Sequence, residues 1–345
     1  MSNMCVVDAQ MSRARFVYRW VVPTDPALAA PAAPTPYVLA VDFGGTKVEA
    51  ALVDAEGRLV EGSRHRRPTG RNATVPELEE SVGGVVRAAA ASLPAGASIV
   101  GVGIGSAGPI DRQRGLVSPL NVPHWRDYPM RDFVAGVAAE LGLAVPVTLE
   151  MDGVAITMAE HWVGAAQGVD NVMGMVISTG IGGGLIVGGR VITGPTGNAG
   201  HIGHVEVGDI KGEDTFGNPY ALEAMASGPH TVAWARQQGF EGATGEDLAA
   251  AYVAGDLIAR EAIARTGEAV GRAIASATAL LDLELVAIGG GFSHSTPDLF
   301  DHMRDVIEHH YFPFVRKVRI VPSALSSEGP LIGAAALIHR AALLP

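Results

Sequence analysis

Three segments of the sequence combine glycine with hydroxyl or charged side chains, each directly after an apolar run. They are DFGGTK at 42–47, STGIGGG at 178–184 and GGGFS at 289–293. Glycine lets the backbone approach a bulky anion, and successive N–H groups can form a concavity that binds phosphate. In the first segment, Asp42 could hold a Mg²⁺-bound water, while Thr46 and Lys47 could donate hydrogen bonds to phosphate. Taken alone, this segment fits an ordinary hairpin turn equally well. Three such turns after buried strands favour a nucleotide site.

A fourth candidate is an aspartate where a predicted strand meets a predicted helix, in EMDG at 150–153. Asp152 could accept a proton from a substrate hydroxyl, as the base of a kinase does. Aspartate is also a common helix N-cap. Without further context, the position alone favours the cap.

Two histidines three residues apart have acidic neighbours. His201, His204 and Glu206 lie in a glycine-rich segment, with Asp209 and Asp214 further along. Because no predicted helix presents both imidazoles on one face, the spacing favours a substrate-contacting loop or surface histidines over a metal site.

Alternating strands and helices must position these residues. Apolar runs predict buried strands that end at the candidate segments, at 37–43, 98–106, 145–150, 171–179 and 284–290. A strand, a glycine turn and a hairpin occur twice, at 38–60 and at 172–192. This weak internal duplication indicates two related α/β lobes with a cleft between them.

Composition excludes several classes of protein. The chain has 345 residues, 48% of them hydrophobic, and a net charge of −11. A large core can therefore form, and a coat for nucleic acid or an anionic membrane is not expected. The single cysteine, Cys5, permits no intramolecular disulfide and fits a cytoplasmic protein. Residues 1–36 end in a Pro/Ala-rich stretch and are expected to be a disordered or tail-like extension.

Together, the motifs resemble the ROK family (repressors, open reading frames, sugar kinases), and most closely its bacterial glucokinases. The matching motifs occur in the family's order from about Tyr37 onward: DFGGTK, GSAGPID, STGIGGG, HIGHVEV, LEAMASG, AIGGGFS and EGPLIGAAAL. The resemblance implies an actin-like, ribonuclease H-like α/β fold with lobes at 37–145 and 146–345. The last helix would pack back on the first lobe, and a homodimer is the usual assembly.

The implied reaction transfers the γ-phosphoryl group of Mg·ATP to a hydroxyl, with Asp152 as the base. The resemblance implies a phosphate and Mg²⁺ site formed by Asp42, Gly44, Gly45, Thr46, Lys47, Thr179, Gly180 and Gly182. It implies adenosine contacts from Gly290, Gly291 and Gly333. It implies acceptor contacts from Ser106, Asn121, Met151, Asp152, His201, His204 and Glu223.

The sequence departs from the family pattern at the acceptor and zinc positions. Met151 replaces an asparagine that bonds sugar hydroxyls, and His201 replaces a glutamate. The three zinc cysteines fall at Asp214, Phe216 and Ala221, so no structural zinc is expected.

Since losing such polar groups should weaken glucose binding strongly, we expect another sugar-like polyol as substrate. The preferred example is the hydroxymethyl group of a C7-cyclitol of the valiolone type. Glucose, an N-acetylhexosamine and fructose are alternatives. An alternative of another class is a sugar-sensing transcriptional regulator without catalysis. Only 36 residues, without a pair of helices, precede Tyr37, so DNA binding is not expected.

Overall fold

The computed structural model describes residues 34–120, 122–207, 218 and 220–345. Residues Thr35–Pro345 form one compact unit. The expectations for Asn121, Asp214, Phe216 and nearly all of the 1–36 extension concern residues outside this description. Among the described residues, no helix has both the length and the apolar character needed to span a bilayer.

Strands and helices alternate along the described chain. The strands are β1 Thr35–Phe43, β2 Lys47–Val53, β3 His65–Pro68, β4 Ala97–Ser106, β5 Ile110–Asp111, β6 Leu116–Val117, β7 Val147–Met151, β8 Val172–Ile177, β9 Ile181–Val187, β10 Arg190–Ile192, β11 Leu285–Gly289 and β12 Arg319–Pro322. The helices are α1 Val75–Ala91, α2 Met130–Glu140, α3 Asp152–Val163, α4 Leu222–Ala226, α5 Gly228–Gln237, α6 Gly245–Ala254, α7 Leu257–Leu281, α8 Asp298–Glu308 and α9 Gly329–His339.

Two five-stranded sheets share one topology. Their strand orders are β3-β2-β1-β4-β7 and β10-β9-β8-β11-β12. In each sheet, an antiparallel meander is continued by two parallel strands. This repeat confirms the duplication predicted from the sequence.

The connection between β2 and β3 differs in detail from the pattern of the sequence. The segment 48–66 predicts two strands joined at residues 56 and 57. In the structure, the Asp54 carboxylate accepts hydrogen bonds from the N–H groups of Glu56 and Arg58, at 3.0 and 2.8 Å. This side-chain bonding holds a tight turn, and the third strand begins only at His65.

Helix α3 bridges the two sheets, and helix α9 packs on both α3 and the first sheet. Helix α3 packs against β4 and β7 of the first sheet and against β8 and β9 of the second. Helix α9 packs on β1, β4 and α3. A Cβ atom at Gly333 of α9 would clash with the carbonyl oxygen of Ala155 in α3. The two helices therefore approach closely only because residue 333 is glycine.

Aromatic stacking anchors the irregular segment beside the first sheet. Trp125 is fully buried, with its ring centroid 4.8 Å from that of Phe43 and 3.9 Å from that of Tyr128. Since Phe43 directly follows Asp42, this packing fixes the end of β1.

The boundary between lobes near residue 145 stays a prediction. The strand that follows it, β7, hydrogen-bonds to β4 of the first sheet.

Candidate functional site

All three glycine segments lie at the carboxyl ends of parallel strands. The 42–47 segment follows β1, the 178–184 segment follows β8, and the 289–293 segment follows β11. In the first sheet, Asp42 is in register with Gly105, and Gly105 with Glu150. In the second sheet, Gly289 is in register with Val176. Ligands of α/β sheets bind at such edges.

Helix α3 brings Asp152 to the second glycine turn. The backbone of Gly153 packs directly on β9: a Cβ atom on Gly153 would clash with the backbone of Gly183, and one on Gly184 would clash with the carbonyl of Gly153. As a result, Oδ1 of Asp152 lies 3.9 Å from where a Cβ atom of Gly182 would be. The carboxylate of Asp152, which follows a strand of the first sheet, therefore lies next to the predicted phosphate turn at 178–184 of the second sheet.

The structure also bears on whether Asp152 is only a helix cap. Met151 occupies the N-cap position of α3, and Asp152 is the first residue of the helix. The Asp152 carboxylate accepts a hydrogen bond of 2.7 Å from the Gly153 N–H. It therefore satisfies one free backbone donor without being the N-cap residue.

Asp42 and Asp152 form a pair of carboxylates with strongly perturbed acidity. Burial raises the pKa of Asp42 to about 7, and the nearby charge of Asp152 adds to the rise. Burial raises the pKa of Asp152 to about 6, against the opposing effect of the Gly153 hydrogen bond. Asp42 is 8% exposed, and its carboxylate has no hydrogen-bond partner among the described residues. A buried, unpartnered carboxylate beside a second one fits Mg²⁺, which prefers oxygen ligands.

The first glycine turn is closed by backbone bonds and held by a neighbouring threonine. The Gly44 N–H donates to the Lys47 carbonyl at 2.9 Å. Thr69 donates to the Gly44 carbonyl through its hydroxyl at 2.9 Å and to the Thr46 carbonyl through its N–H at 3.0 Å. Gly45 is half-buried and Thr46 is exposed. The segment is thus a hairpin turn whose backbone is fixed by these hydrogen bonds.

The second glycine turn is held by Glu223. Its carboxylate is nearly buried and accepts a 2.9 Å hydrogen bond from the Ile181 N–H. A Cβ atom on Gly180 would lie 2.7 Å from Oε2 of Glu223. Thr179 is exposed at the tip of the turn. Glu223, predicted to contact the acceptor, therefore also positions the predicted phosphate turn.

The predicted adenosine residues occupy two different elements. Gly290 directly follows β11 with a φ of +97°, and the Ser293 hydroxyl donates to its carbonyl at 2.8 Å. Gly291 follows at the start of a short 3₁₀ turn. Gly333 lies in the middle of α9 against Ala155. Its adenosine contact stays a prediction, and the observed role is helix packing.

The predicted acceptor residues lie together, apart from Asn121, which is outside the described residues. Ser106 and Met151 end neighbouring strands in register. Nδ1 of His201 lies 3.4 Å from the sulfur of the buried Met151. The rings of His201 and His204 stack with centroids 4.6 Å apart. Burial, together with the neighbouring His204, lowers the pKa of His201 to about 4, so this imidazole is neutral at physiological pH.

Sequence analysis missed two buried glutamates and their basic partners. Glu49 of β2 is held by Lys47, Arg64 and Arg66. Glu150 of β7 is fully buried and accepts a 2.5 Å hydrogen bond from Arg112. The alternation of Lys47 with Glu49, and of Arg64 with Arg66, is a signal that these residues share a strand face. Nothing in the sequence indicates the partner of Glu150.

A protein-bound metal site would need several histidine, cysteine or carboxylate side chains close together. In the parts of the chain that the structure describes, no three such residues cluster closely enough to hold a metal ion. Of the three positions matching zinc cysteines, only Ala221 is described, and it is buried before α4. The absence of structural zinc stays a prediction.

The repeated sheets, the bridging helices and the glycine turns at the strand ends define an actin-like ATPase fold, as the structural neighbours confirm. A model of the ROK family matches residues 38–341. The chain therefore belongs to the ROK family, which confirms the resemblance found in the sequence.

The relatives of this chain include kinases that are named for different sugars. A glucokinase from Thermotoga maritima is 30% identical over 321 residues, covering 88% of this chain and 97% of the relative. An N-acetylmannosamine kinase from Escherichia fergusonii is 31% identical over 253 residues, covering 73% and 82%. The crystal structure of a ROK family glucokinase from Streptomyces griseus with glucose and AMPPNP has a TM-score of 0.73 and 28% identity. It covers 88% of this chain and 99% of that chain.

Proposed function

We propose that this protein is an ATP-dependent kinase that phosphorylates a hydroxyl group of a sugar or sugar-like polyol. The observation that carries the proposal is the position of Asp152, which meets the 178–184 glycine turn and electrostatically couples to Asp42. Kinases among the relatives, and a structural neighbour with bound AMPPNP, support ATP as the donor.

The phosphates of ATP would lie between the 42–47 and 178–184 turns. The Gly44 N–H is used within its turn, so the backbone N–H groups of Gly45 and Gly180 would face the anion, and Thr46 and Thr179 are exposed beside them. Asp42 would hold the Mg²⁺ that accompanies the nucleotide. When bound, this ion supplies charge neutralisation for the phosphates.

Asp152 would orient the acceptor hydroxyl and take its proton. The acceptor oxygen forms a bond to the γ-phosphorus as the bond from that phosphorus to the β,γ-bridging oxygen breaks. The hydroxyl proton moves to the Asp152 carboxylate, and ADP leaves. A pKa of about 6 leaves this carboxylate ionised at neutral pH and basic enough for the task. Closure of the site would exclude water, so that ATP is not simply hydrolysed.

The acceptor side supports a polyol other than glucose. Met151 offers a thioether where an amide would bond a hydroxyl, and His201 is a neutral imidazole in contact with it. Losing the amide removes a partner for a glucose hydroxyl, which should weaken glucose more than an acceptor with a different hydroxyl pattern, such as a carbocyclic C7-cyclitol. We therefore favour the hydroxymethyl group of such a cyclitol as the phosphorylated group.

Glucose is the second candidate, because the relatives that span 88% of this chain are named glucokinases. An acceptor screen separates the two. Purified protein with Mg·ATP is assayed for ADP release with hexoses, N-acetylhexosamines, inositols and C7-cyclitols. We expect the highest kcat/KM with a cyclitol. A higher kcat/KM with glucose would indicate that the protein is a glucokinase. ADP release that does not depend on any acceptor would reject the kinase proposal. A homodimer and a cytoplasmic location stay predictions from the sequence.

A further inference from the structure

Three basic side chains converge on one buried carboxylate beside the 42–47 turn. Glu49 is 2% exposed and lies in β2, in register with Asp42 of β1. Its oxygens accept hydrogen bonds from Lys47 at 2.5 Å, from Arg64 at 3.1 and 3.3 Å, and from Arg66 at 2.8 Å. One negative charge therefore faces three positive charges, and two positive charges remain without a counterpart inside the cluster.

The cluster shares a sheet face with Asp42. In-register neighbours on adjacent strands point to the same side of a sheet, as do residues two apart on one strand. Arg66 pairs with Glu49, and Glu49 pairs with Asp42. Lys47 and Arg64 are each two residues from a member of this row. Their charges both act to lower the pKa of Asp42, so they lie within electrostatic reach of the candidate site.

The arginine side chains are anchored and accessible. Arg64 also donates from Nη2 to the carbonyl oxygen of Ser327, just before α9, at 2.9 Å. Its side chain is 28% exposed and that of Arg66 is 57% exposed. Among the described residues, Nη1 of Arg64 and both Nη atoms of Arg66 have no hydrogen-bond partner. Each guanidinium group is thus held by hydrogen bonds from some of its nitrogens, while its remaining N–H groups are available to a ligand.

We propose that Arg64 and Arg66, held in place by Glu49, bind the phosphate chain of the phosphoryl donor. The inference rests on the proposed kinase function and adds residues to its donor site. Guanidinium groups pair with phosphate through parallel N–H donors, and a preorganised guanidinium loses little entropy when it binds. The uncompensated charges supply attraction for a polyanion. The same chemistry would recognise the phosphates of ATP or those of an inorganic polyphosphate.

Arg67 provides a matched control on the same strand. It pairs in register with Val48 and therefore points to the opposite face of the sheet. There it forms an exposed ion pair with Glu80 at 2.7 Å. Arg67→Gln removes the same charge from β3 and leaves the cluster around Glu49 unchanged.

Equilibrium binding tests the proposal without requiring turnover. Calorimetry would measure Mg·ATP, tripolyphosphate and adenosine binding to the wild type and to Arg64→Gln, Arg66→Gln and Arg67→Gln. We expect Arg64→Gln and Arg66→Gln each to weaken Mg·ATP binding about 10- to 100-fold, as for a lost charged hydrogen bond. Adenosine binding should not change, and Arg67→Gln should bind like the wild type. If tripolyphosphate binds to the wild type but not to Arg64→Gln or Arg66→Gln, the site binds an inorganic phosphate chain without a nucleoside. Tripolyphosphate that never binds assigns the site to the nucleotide.

Failure of the inference and failure of the proposed function give different results. Unchanged Mg·ATP affinity in both arginine variants would overturn the inference and leave the kinase proposal standing. A wild type that binds neither Mg·ATP nor tripolyphosphate would overturn both. If Arg64→Gln does not fold, as judged by circular dichroism, the more exposed Arg66 still provides the test.

Glu49 is a positioning residue in this proposal. Glu49→Gln removes the negative charge but keeps an acceptor oxygen, so attraction for phosphate persists while the guanidinium groups are less fixed. We expect Mg·ATP affinity at least equal to that of the wild type, with kcat lowered about tenfold. A purely structural role would weaken binding and kcat together, and that result would contradict the assignment.

Discussion

Replacing Asp42 by asparagine should make the folded protein more stable while removing its activity. Asp42 is nearly buried, and its carboxylate lacks a hydrogen-bond partner among the described residues and lies close to the like charge of Asp152. These surroundings raise its pKa from 3.8 to about 7. Holding this carboxylate ionised at neutral pH therefore destabilises the fold, and asparagine removes that cost.

The magnitude and its pH dependence follow from the two pKa values. An acid with a higher pKa in the folded state contributes its full stability below the unfolded value and loses it as pH rises through the folded value. The gain from Asp42→Asn should therefore be close to zero at pH 3 and under about 2 kcal/mol at pH 5. At pH 8 it should reach at most about 4 kcal/mol. Phosphoryl transfer should be lost at every pH, because asparagine lacks the charge that holds Mg²⁺.

Urea unfolding at these three pH values, with EDTA and without nucleotide, measures the effect. Glu49→Gln is the matched control, because Glu49 is the register neighbour of Asp42 on the same face. Burial would raise the pKa of Glu49, but hydrogen bonds from Lys47, Arg64 and Arg66 lower it from 4.5 to about 2. Its stabilisation is present above pH 4.5 and is lost as pH falls towards 2, so the substitution should cost up to about 3 kcal/mol at pH 8. An Asp42→Asn protein that is no more stable than the wild type at pH 8 would refute the reasoning.

Four further substitutions test other parts of the site and fold. Asp152→Asn keeps an oxygen for the Gly153 N–H but cannot accept the proton, so steady-state kinetics should show kcat about 10²- to 10⁴-fold lower. In the wild type, kcat/KM should fall about tenfold per pH unit below pH 6, the pKa of this carboxylate. Gly333→Ala should destabilise the fold by about 1–3 kcal/mol in urea unfolding through its clash with Ala155. Gly136→Ala in α2, where a Cβ atom meets nothing within 4 Å, should instead stabilise by about 0.5–1 kcal/mol. Met151→Asn should raise kcat/KM for glucose relative to the natural acceptor, and a lower glucose rate would argue against a specificity role for this residue.

The sequence predicted those parts of the fold that local patterns determine. The apolar run at 37–43 matches β1 at Thr35–Phe43, and the apolar run at 284–290 matches β11 at Leu285–Gly289. Apolar strands followed by glycine also predicted where the three turns lie. The structure of such segments depends mainly on burial and on backbone conformation, and both can be inferred from the types of residue in the segment.

The parts of the site that depend on pairing between distant strands could not be predicted. The contacts of Glu49 with Arg64 and of Glu150 with Arg112 arise from sheet register and loop packing. The elevated pKa values of Asp42 and Asp152 need the two carboxylates to be buried near each other. The motif identified Asp152 as the base only through family resemblance, because its local sequence by itself favours a helix cap.

The most direct test of the account is acceptor-dependent ADP release by wild-type protein and by Asp152→Asn, measured side by side with saturating Mg·ATP. We predict that a polyol acceptor stimulates release by the wild type, with one phosphorylated polyol formed for each ADP. We predict that Asp152→Asn retains nucleotide binding but shows almost no stimulation. Equal stimulation in the two proteins, or ADP formed with free phosphate in place of phosphorylated polyol, would contradict the account.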